Sequence, residues 1–413
     1  MPASLRGNRD FLLLWTGEAV SELGSSMTAL VLPIIAFAVT GSTTRAGLVG
    51  TVALVATLVV RLPAGALVDR WRRDRVLLLS NLAGAALFAS VVAAAATDSL
   101  TLAQLLVVAG LGGVRDAFFS PAMSAAVRTV VPEPARPLAY SRIEARGHGA
   151  AIVGPPLGGA LYSVARWVPF LVDAVSFAAS AFAVTRLRTA LPAPAASGHS
   201  VRADAVDGVR YLWRHRVVRA LMLWGAVLNL AGMVVFVGVT LRLVRAGVHP
   251  ATIGLIDTIA SAAGLLGALL APRVIARVPT SLLTITTALV VAAVFAGMAP
   301  TSSVWEIGAL FAIGTFLLPA NNAGISSYLA FAVPDEMQGR FNAAAGFVAG
   351  GLAPAGPVLA GALLATVGGA ATTVVGAGLV AASIVPLLLS REALSLGRPD
   401  TWAAAAPAPA PES

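Results

Sequence analysis

Gly65-Ala-Leu-Val-Asp-Arg-Trp-Arg-Arg-Asp-Arg-Val-Leu-Leu-Leu79 is where a long apolar run breaks into charge and then resumes. Arg70, Arg72, Arg73 and Arg75 stand with Asp69 and Asp74 inside seven residues of a chain that is only 11% charged. A connection this short and polar between two helix-length apolar runs reads as a tight loop at a membrane surface. The rest of the chain follows from that reading.

The chain has 413 residues, more than one ordinary domain needs, which suggests two units. Its hydrophobic fraction is 58%, against about 45–50% in globular proteins, and its mean hydropathy is +0.86. Successive apolar runs reach the ~20 residues that cross a bilayer core. An all-α polytopic membrane protein is expected. The net charge of +9 does not point to nucleic acid, because all 28 basic residues are arginine and they gather in alternate loops, as the positive-inside bias requires. Without cysteine there is no disulfide, thiolate nucleophile or Cys metal site. Four scattered histidines offer no metal site either. A chain without lysine has no Walker loop, and Gly110-Leu-Gly-Gly113 lies in an apolar span. No cofactor and no enzymatic activity are expected.

Twelve spans are read near 11–38, 46–68, 75–96, 101–123, 139–164, 166–187, 217–240, 251–272, 279–299, 303–325, 341–366 and 369–389. Glu18 and Glu22 interrupt the run before Ala36-Phe37-Ala38, so the first run is a retained helix and not a cleaved signal. Arginines fill the loops holding Arg6 and Arg9, the 65–75 cluster, Arg128 and Arg136, Arg186 to Arg219, Arg273 and Arg277, Arg340, and Arg391 and Arg398. The opposite loops hold only Arg45, Arg166, Arg242 and Arg245. Both termini are therefore expected in the cytoplasm, in a multi-pass protein of the cell membrane. The division reads as a six-helix bundle over 1–190, a cytoplasmic linker over 191–216, a second six-helix bundle over 217–390, and a disordered cytoplasmic tail over 391–413. Within the linker, Asp204 to Arg216 reads as an amphipathic segment along the membrane.

An internal repeat links the halves. At a shift of 202 residues, Val131-Pro132-Glu133 meets Val333-Pro334-Asp335, Gly154-Pro155 meets Gly356-Pro357, and Gly159-Ala160-Leu161 meets Gly361-Ala362-Leu363. Two like-oriented halves joined by a linker is the parallel-repeat plan of transporters, with the substrate path between them.

The opening stretch resembles the loop motif Gly-x-Leu-x-Asp-Arg-x-x-Arg of the major facilitator superfamily, carried here by Gly65, Leu67, Asp69, Arg70 and Arg73, with Arg72 in place of a usual glycine. The Asp-Arg-Trp-x-Arg form is similar to the branch of enterobactin exporters and macrolide efflux pumps. Asn8 to Trp15, Ser21-Glu-Leu-Gly24, Pro121-Ala122, Pro169-Phe170 and Asp173-Ala174 fit the same branch. Gly154-Pro-Pro-Leu-Gly-Gly159 resembles the Gly-Pro-x-x-Gly-Gly motif of proton-coupled antiporters, through Gly154, Pro155, Gly158 and Gly159. The resemblance covers about 8–390 and implies the two-bundle major facilitator fold, proton exchange and export. It also implies that Asp69 approaches the start of span 11 when the cytoplasmic side closes, with Arg73 in the same charge network.

Ionisable residues inside spans are costly and mark paths or pairs. Glu18 and Glu22 share a face of span 1, at depths of about 10 Å and about 16 Å by helical rise. Arg115 and Asp116 in span 4 reach a depth similar to that of Glu18, so a Glu18–Arg115 pair is expected if spans 1 and 4 both line the cavity. A carboxyl group in an apolar cavity can load and release protons near neutral pH. Glu22 is the leading proton carrier in this reading, Glu18 the second, with Arg115 and Asp116 beside them. The bland alternative is a static pair, or side chains in a wet vestibule. Asp257 reads as an outer-vestibule residue, with a second coupling site as the alternative, Asp173 as a packing residue, and Arg61, Arg142 and Arg146 as groups reaching the cytoplasmic surface. Trp15, Phe37, Trp224, Asn229, Phe236 and Phe347 are candidates for the substrate wall.

The favoured reading is a secondary transporter that exports a hydrophobic or amphiphilic small molecule (a drug, siderophore or secondary metabolite) by alternating access in exchange for protons. Its partners would be the lipid bilayer, its substrate and protons, with no nucleic acid, and it would act as a monomer. An importer of a small nutrient, and a membrane sensor or lipid-flipping protein that reuses the fold, remain the alternatives.

Overall fold

The computed structural model describes residues 5–68, 70–192, 201–334 and 337–402. Every regular element among them is helical. The first half contains α1 (Arg9–Thr40), α2 (Thr43–Val68), α3 (Arg73–Ala96), α4 (Leu102–Val130), α5 (Arg136–Val164) and α6 (Val168–Thr185). A short helix, α7 (Val201–Arg214), leads into α8 (Arg216–Arg245), α9 (Pro250–Ile275), α10 (Thr280–Gly297) and α11 (Val304–Ala332). The chain then forms α12 (Gln338–Gly350), α13 (Ala355–Thr366), α14 (Gly368–Ser383), α15 (Val385–Leu388) and α16 (Arg391–Leu394). Among the described residues eleven spans satisfy the length and hydropathy that a bilayer core demands. The twelfth member is α5, whose first half carries Arg136, Arg142, Glu144 and Arg146 and whose second half is rich in glycine and proline. Chain ends and turns follow the sequence chemistry. Asn8 caps α1 by accepting from Phe11 N, and its side-chain amide donates to Val130 O at 2.7 Å. The start of α1 and the end of α4 therefore lie on one face, here termed the terminal face.

Within the first half α1 packs on α5 and α6, α2 on α4, and α3 on α4 and α6. Within the second, α8 packs on α13 and α14, α9 on α11, and α10 on α11 and α14. Two main pairings cross between halves, α5 with α9 and α2 with α13, while α1 makes smaller contacts with α8 and α9. Both main pairings are confined to the far face. Gly159 meets Pro250, Gly254 lies under Pro155, and Thr258 Oγ1 donates to Ile152 O at 2.6 Å. On the other side Gly47 lies under Pro357, Gly361 meets Thr43, and Thr43 Oγ1 donates to Gly361 O at 2.8 Å. A Cβ on Gly361 would run into the Thr43 backbone, so glycine is what allows this approach. Gly154 packs on Ser26 of α1 while Gly356 packs on Met233 of α8. The 202-residue repeat is thus visible as paired contacts. The apolar clusters agree: Leu30 and Ile34 of α1 join the core of the second half, and Leu241 and Leu364 join the far-face core of the first. The halves form a cleft sealed at the far face.

Two regions differ from the sequence expectations. Span 11, read as one helix over 341–366, is two helices separated at 351–354. Gly350-Gly351 precedes Pro354, whose ring would clash with the carbonyl four residues back, and the side-chain amide of Asn229 donates to the freed Ala349 O at 3.1 Å. The tail, read as disordered from 391, is packed as far as Trp402. Leu396 and Gly397 carbonyls accept from Ser281 N and Thr280 N at the start of α10, and Trp402 packs against Tyr328 and Phe331. Residues 403–413 lie outside the described residues. The lead-in helix α7 packs on the second half: Gly208 lies against Arg340 and Ala344, and Tyr211 Oη donates to Ala332 O at 2.7 Å.

Candidate functional site

The cleft walls on the terminal side are charged, and the structure redraws the expected pairs. Glu22 Oε2 accepts from Arg146 Nε at 2.7 Å, joining α1 to α5. Arg146 is well enclosed while Glu22 keeps 34% of its side chain open. Arg146 was expected to reach the headgroups, but its neighbour on α1 offers the nearer countercharge. The signal was present in the helical rise: Glu22 lies about 20 Å in from the start of α1, and Arg146 about 15 Å in from the start of α5. Gly147 leaves the room for this pair, since a Cβ there would stand 3.1 Å from Glu22 Oε1.

The expected Glu18–Arg115 pair does not form. Arg115 Nη1 bonds Asp116 Oδ1 at 2.8 Å, and the guanidinium stacks over Phe177 at 4.1 Å and Phe119 at 4.9 Å. Two aromatic faces and an adjacent carboxylate hold the cation inside the first half. Asp116 makes this bond while 58% of its side chain stays exposed. Its face of α4 also carries Gly112, in front of which a Cβ would meet open space. Glu18 has a carboxylate oxygen that is enclosed and bonded to no group. Asp173 is fully buried, accepts from Thr28 Oγ1 at 2.7 Å and Ser176 Oγ at 3.1 Å, and holds α6 to α1.

This arrangement is a cleft between two pseudo-equivalent helical halves, with glycine and proline at the crossing contacts. The model of the Major Facilitator Superfamily matches residues 14–246. The chain belongs to that superfamily. It is a multi-pass membrane transporter and not an enzyme. The "Multidrug efflux pump Tap" of Mycolicibacterium fortuitum is 29% identical over 404 residues, covering 94% of this chain and 95% of that one. Among solved structures, the nucleoside transporter NupG (D323A mutant) superposes with a TM-score of 0.72 at 14% identity, covering 92% of this chain and 99% of that one. A bacterial homologue of the iron transporter ferroportin gives a TM-score of 0.68 in its inward-facing state, at 16% identity over 94% of this chain and 99% of that one. In its outward-facing state the value is 0.60, at 17% identity over 92% and 98%.

In this superfamily member the loop motif sits on the terminal face. Gly65 and Leu67 end α2, and Arg70 is exposed with its backbone N bonded to Leu67 O at 2.9 Å. Asp69 lies outside the described residues. Arg73 Nη1 donates to Thr129 Oγ1 at 3.2 Å and its backbone N to Leu191 O at 3.2 Å, which ties the loop to α4 and to the end of the first half. Arg72, the departure from the motif, bonds Asp74 at 2.7 Å. Of the antiporter-like motif, Gly154 and Gly158 pack on α1, whereas Pro155 and Gly159 face α9.

The residues expected in the substrate wall differ in their packing. Trp224 is 2% exposed inside the core of the second half. Phe37 is packed in the far-face cluster of the first. Trp15 Nε1 donates to Arg142 O at 3.1 Å, so it pins α1 to α5. Size and aromaticity alone did not separate these rings from Phe236 and Phe347, which remain 38% and 41% exposed. Gly225 and Gly232 share the α8 face of Asn229 and Phe236, and both front open space. Arg61 lies on the α2 face that also carries Gly47 and Gly50, with its guanidinium beside Gly346 across the cleft.

Proposed function

We propose that this transporter exports hydrophobic or amphiphilic small molecules across the cell membrane by alternating access, in exchange for protons. The observation that carries the reading is the Glu22–Arg146 pair on the wall of a cleft sealed only at its far face. The arginine-rich terminal face is the cytoplasmic one by the positive-inside bias, so both termini are cytoplasmic and the cleft opens inward, ready to load from the cytoplasm or inner leaflet. The likeness to a multidrug efflux pump over nearly the whole chain supports the direction.

Protonating Glu22 removes the charge that holds Arg146 and loosens α5 from α1. Deprotonation restores the pair, and Glu18 and Asp116 extend the acidic wall along which the proton moves. One chain supplies both halves of the cleft, so the transporting unit is the monomer. Asp69 latches the loop to the start of α12 when the cytoplasmic face closes, at a helix N-terminus that favours a carboxylate. Asp69→Asn should lower turnover while leaving substrate affinity unchanged, as single-turnover and binding measurements would resolve.

Everted vesicles with an imposed pH gradient and a panel of drugs and siderophores test the function. Uptake of a panel compound with dissipation of the gradient is expected. Movement of no compound would remove the export reading, and uptake only in right-side-out vesicles would favour import.

A further inference from the structure

The second half contains one charge that the exchange mechanism does not use. Among the described residues of α8–α14, Asp257 alone carries a charge more than one turn from a helix end. It is half-buried, and its carboxylate makes no hydrogen bond or ion pair with any described residue. Glu22 and Asp116 each have an arginine, and Asp173 has two hydroxyls.

Its direction follows from its neighbours on α9. Gly254 and Thr258 face α5, and Ile253 and Ile256 enter the core of the second half. At ~100° per residue, Asp257 projects between the α5 contact and the core. Its level follows from Thr258, whose hydroxyl bond to Ile152 O belongs to the far-face seal. Asp257 therefore stands at the closed end of the cleft. The segments at that level are 26–34 of α1, 150–158 of α5, 228–239 of α8 and 308–316 of α11, and none carries a charged residue. Phe236, at a similar depth of about 14 Å from the far end of α8, presents its ring on the face that fronts open space.

We propose that Asp257 recognises the positive charge of the transported molecule, which makes hydrophobic organic cations the substrate class of this cleft. An isolated carboxylate in an apolar, half-closed site is costly unless a countercharge reaches it. No wall of the site supplies one, so the ligand does. The cation's apolar body lies against the aromatic and aliphatic wall, where a face such as that of Phe236 adds cation–π attraction. Recognition then belongs to the second half and proton exchange to the first. This rests on the cleft being the substrate path, as proposed above.

The test uses purified full-length protein, with tetraphenylphosphonium as a permanent hydrophobic monocation and triphenylphosphine oxide as a neutral counterpart. Equilibrium binding is measured for both, followed by export in everted vesicles. Asp257→Asn should weaken tetraphenylphosphonium binding at least ~10-fold without changing binding of the neutral compound, and Asp257→Glu should restore most of it. Asp257→Ser replaces the amide variant if size-exclusion profiles show that the latter does not fold. Unchanged cation binding in the neutral variants would overturn the proposal, as would an equal loss for both compounds, or wild-type protein that binds no tetraphenylphosphonium. Wild-type protein that binds the cation through Asp257 but moves nothing would instead overturn the export reading and leave the binding site standing.

Discussion

The two halves share their seal and differ in their charge. Gly154 and Gly159 of α5 and Gly356 and Gly361 of α13 make matching contacts, each set packing one glycine on its own half and one on the other. The cleft wall of the first half carries Glu18, Glu22 with Arg146, and Asp116 with Arg115, whereas among the described residues helices α8–α14 of the second half carry Asp257 alone more than one turn from an end. The second half has instead a break in its crossing helix, where Asn229 serves the freed Ala349 carbonyl. The repeat thus holds the crossing contacts in common, while the charged residues differ between the two halves.

The comparison breaks most visibly at Glu22. Glu22→Gln should abolish proton-driven export while preserving expression and the cysteine-free fold, as everted-vesicle uptake would show; full retained transport would remove coupling from the first half. Gly361→Leu should come next. Its side chain meets the Thr43 backbone, which has little room to give, and overpacking of this kind costs about 1–3 kcal/mol. The far face should then open and transport fall, with labelling at far-face positions increasing. Gly159→Leu, the equivalent change in the first half, should do the same through Pro250; a different response from the two would mean that the seal is not symmetric. The smallest effect is expected at Asn229→Ala, which frees one carbonyl of the broken helix and should cost about 1 kcal/mol in thermal-unfolding measurements.

Much of this architecture was legible in the residues. Length, hydropathy and the arginine-rich loops pointed to a twelve-helix membrane protein, and Gly154-Pro155 matched to Gly356-Pro357 pointed to a duplication, whereas the crossing contacts of Pro155 and Pro357 became visible only in the structure. The break at 351–354 was less visible, because Gly and Pro also occur inside unbroken members such as α5, where Pro155 and Pro156 leave the helix continuous. The site was legible in its residue types but not in its pairings. Glu22 and Arg146 lie at comparable depths, yet depth alone does not say which neighbouring helix turns its charge inward. Arg115 was drawn to ring faces on α6 and α4 that no one-dimensional count reveals. The aromatic candidates divided for the same reason: Trp224 and Phe236 share a helix, and only packing tells the core ring from the cleft ring.

Alternating access is the claim on which the rest depends, and inter-half distances test it directly. The chain has no cysteine, so spin labels can be placed in pairs without removing native thiols. Arg45→Cys with Thr366→Cys reports the far face, and Arg70→Cys with Gly339→Cys reports the terminal face. When the pH gradient or substrate is applied, the account predicts that the far-face distance lengthens as the terminal-face distance shortens. Two distances that stay fixed, or that lengthen together, would contradict it.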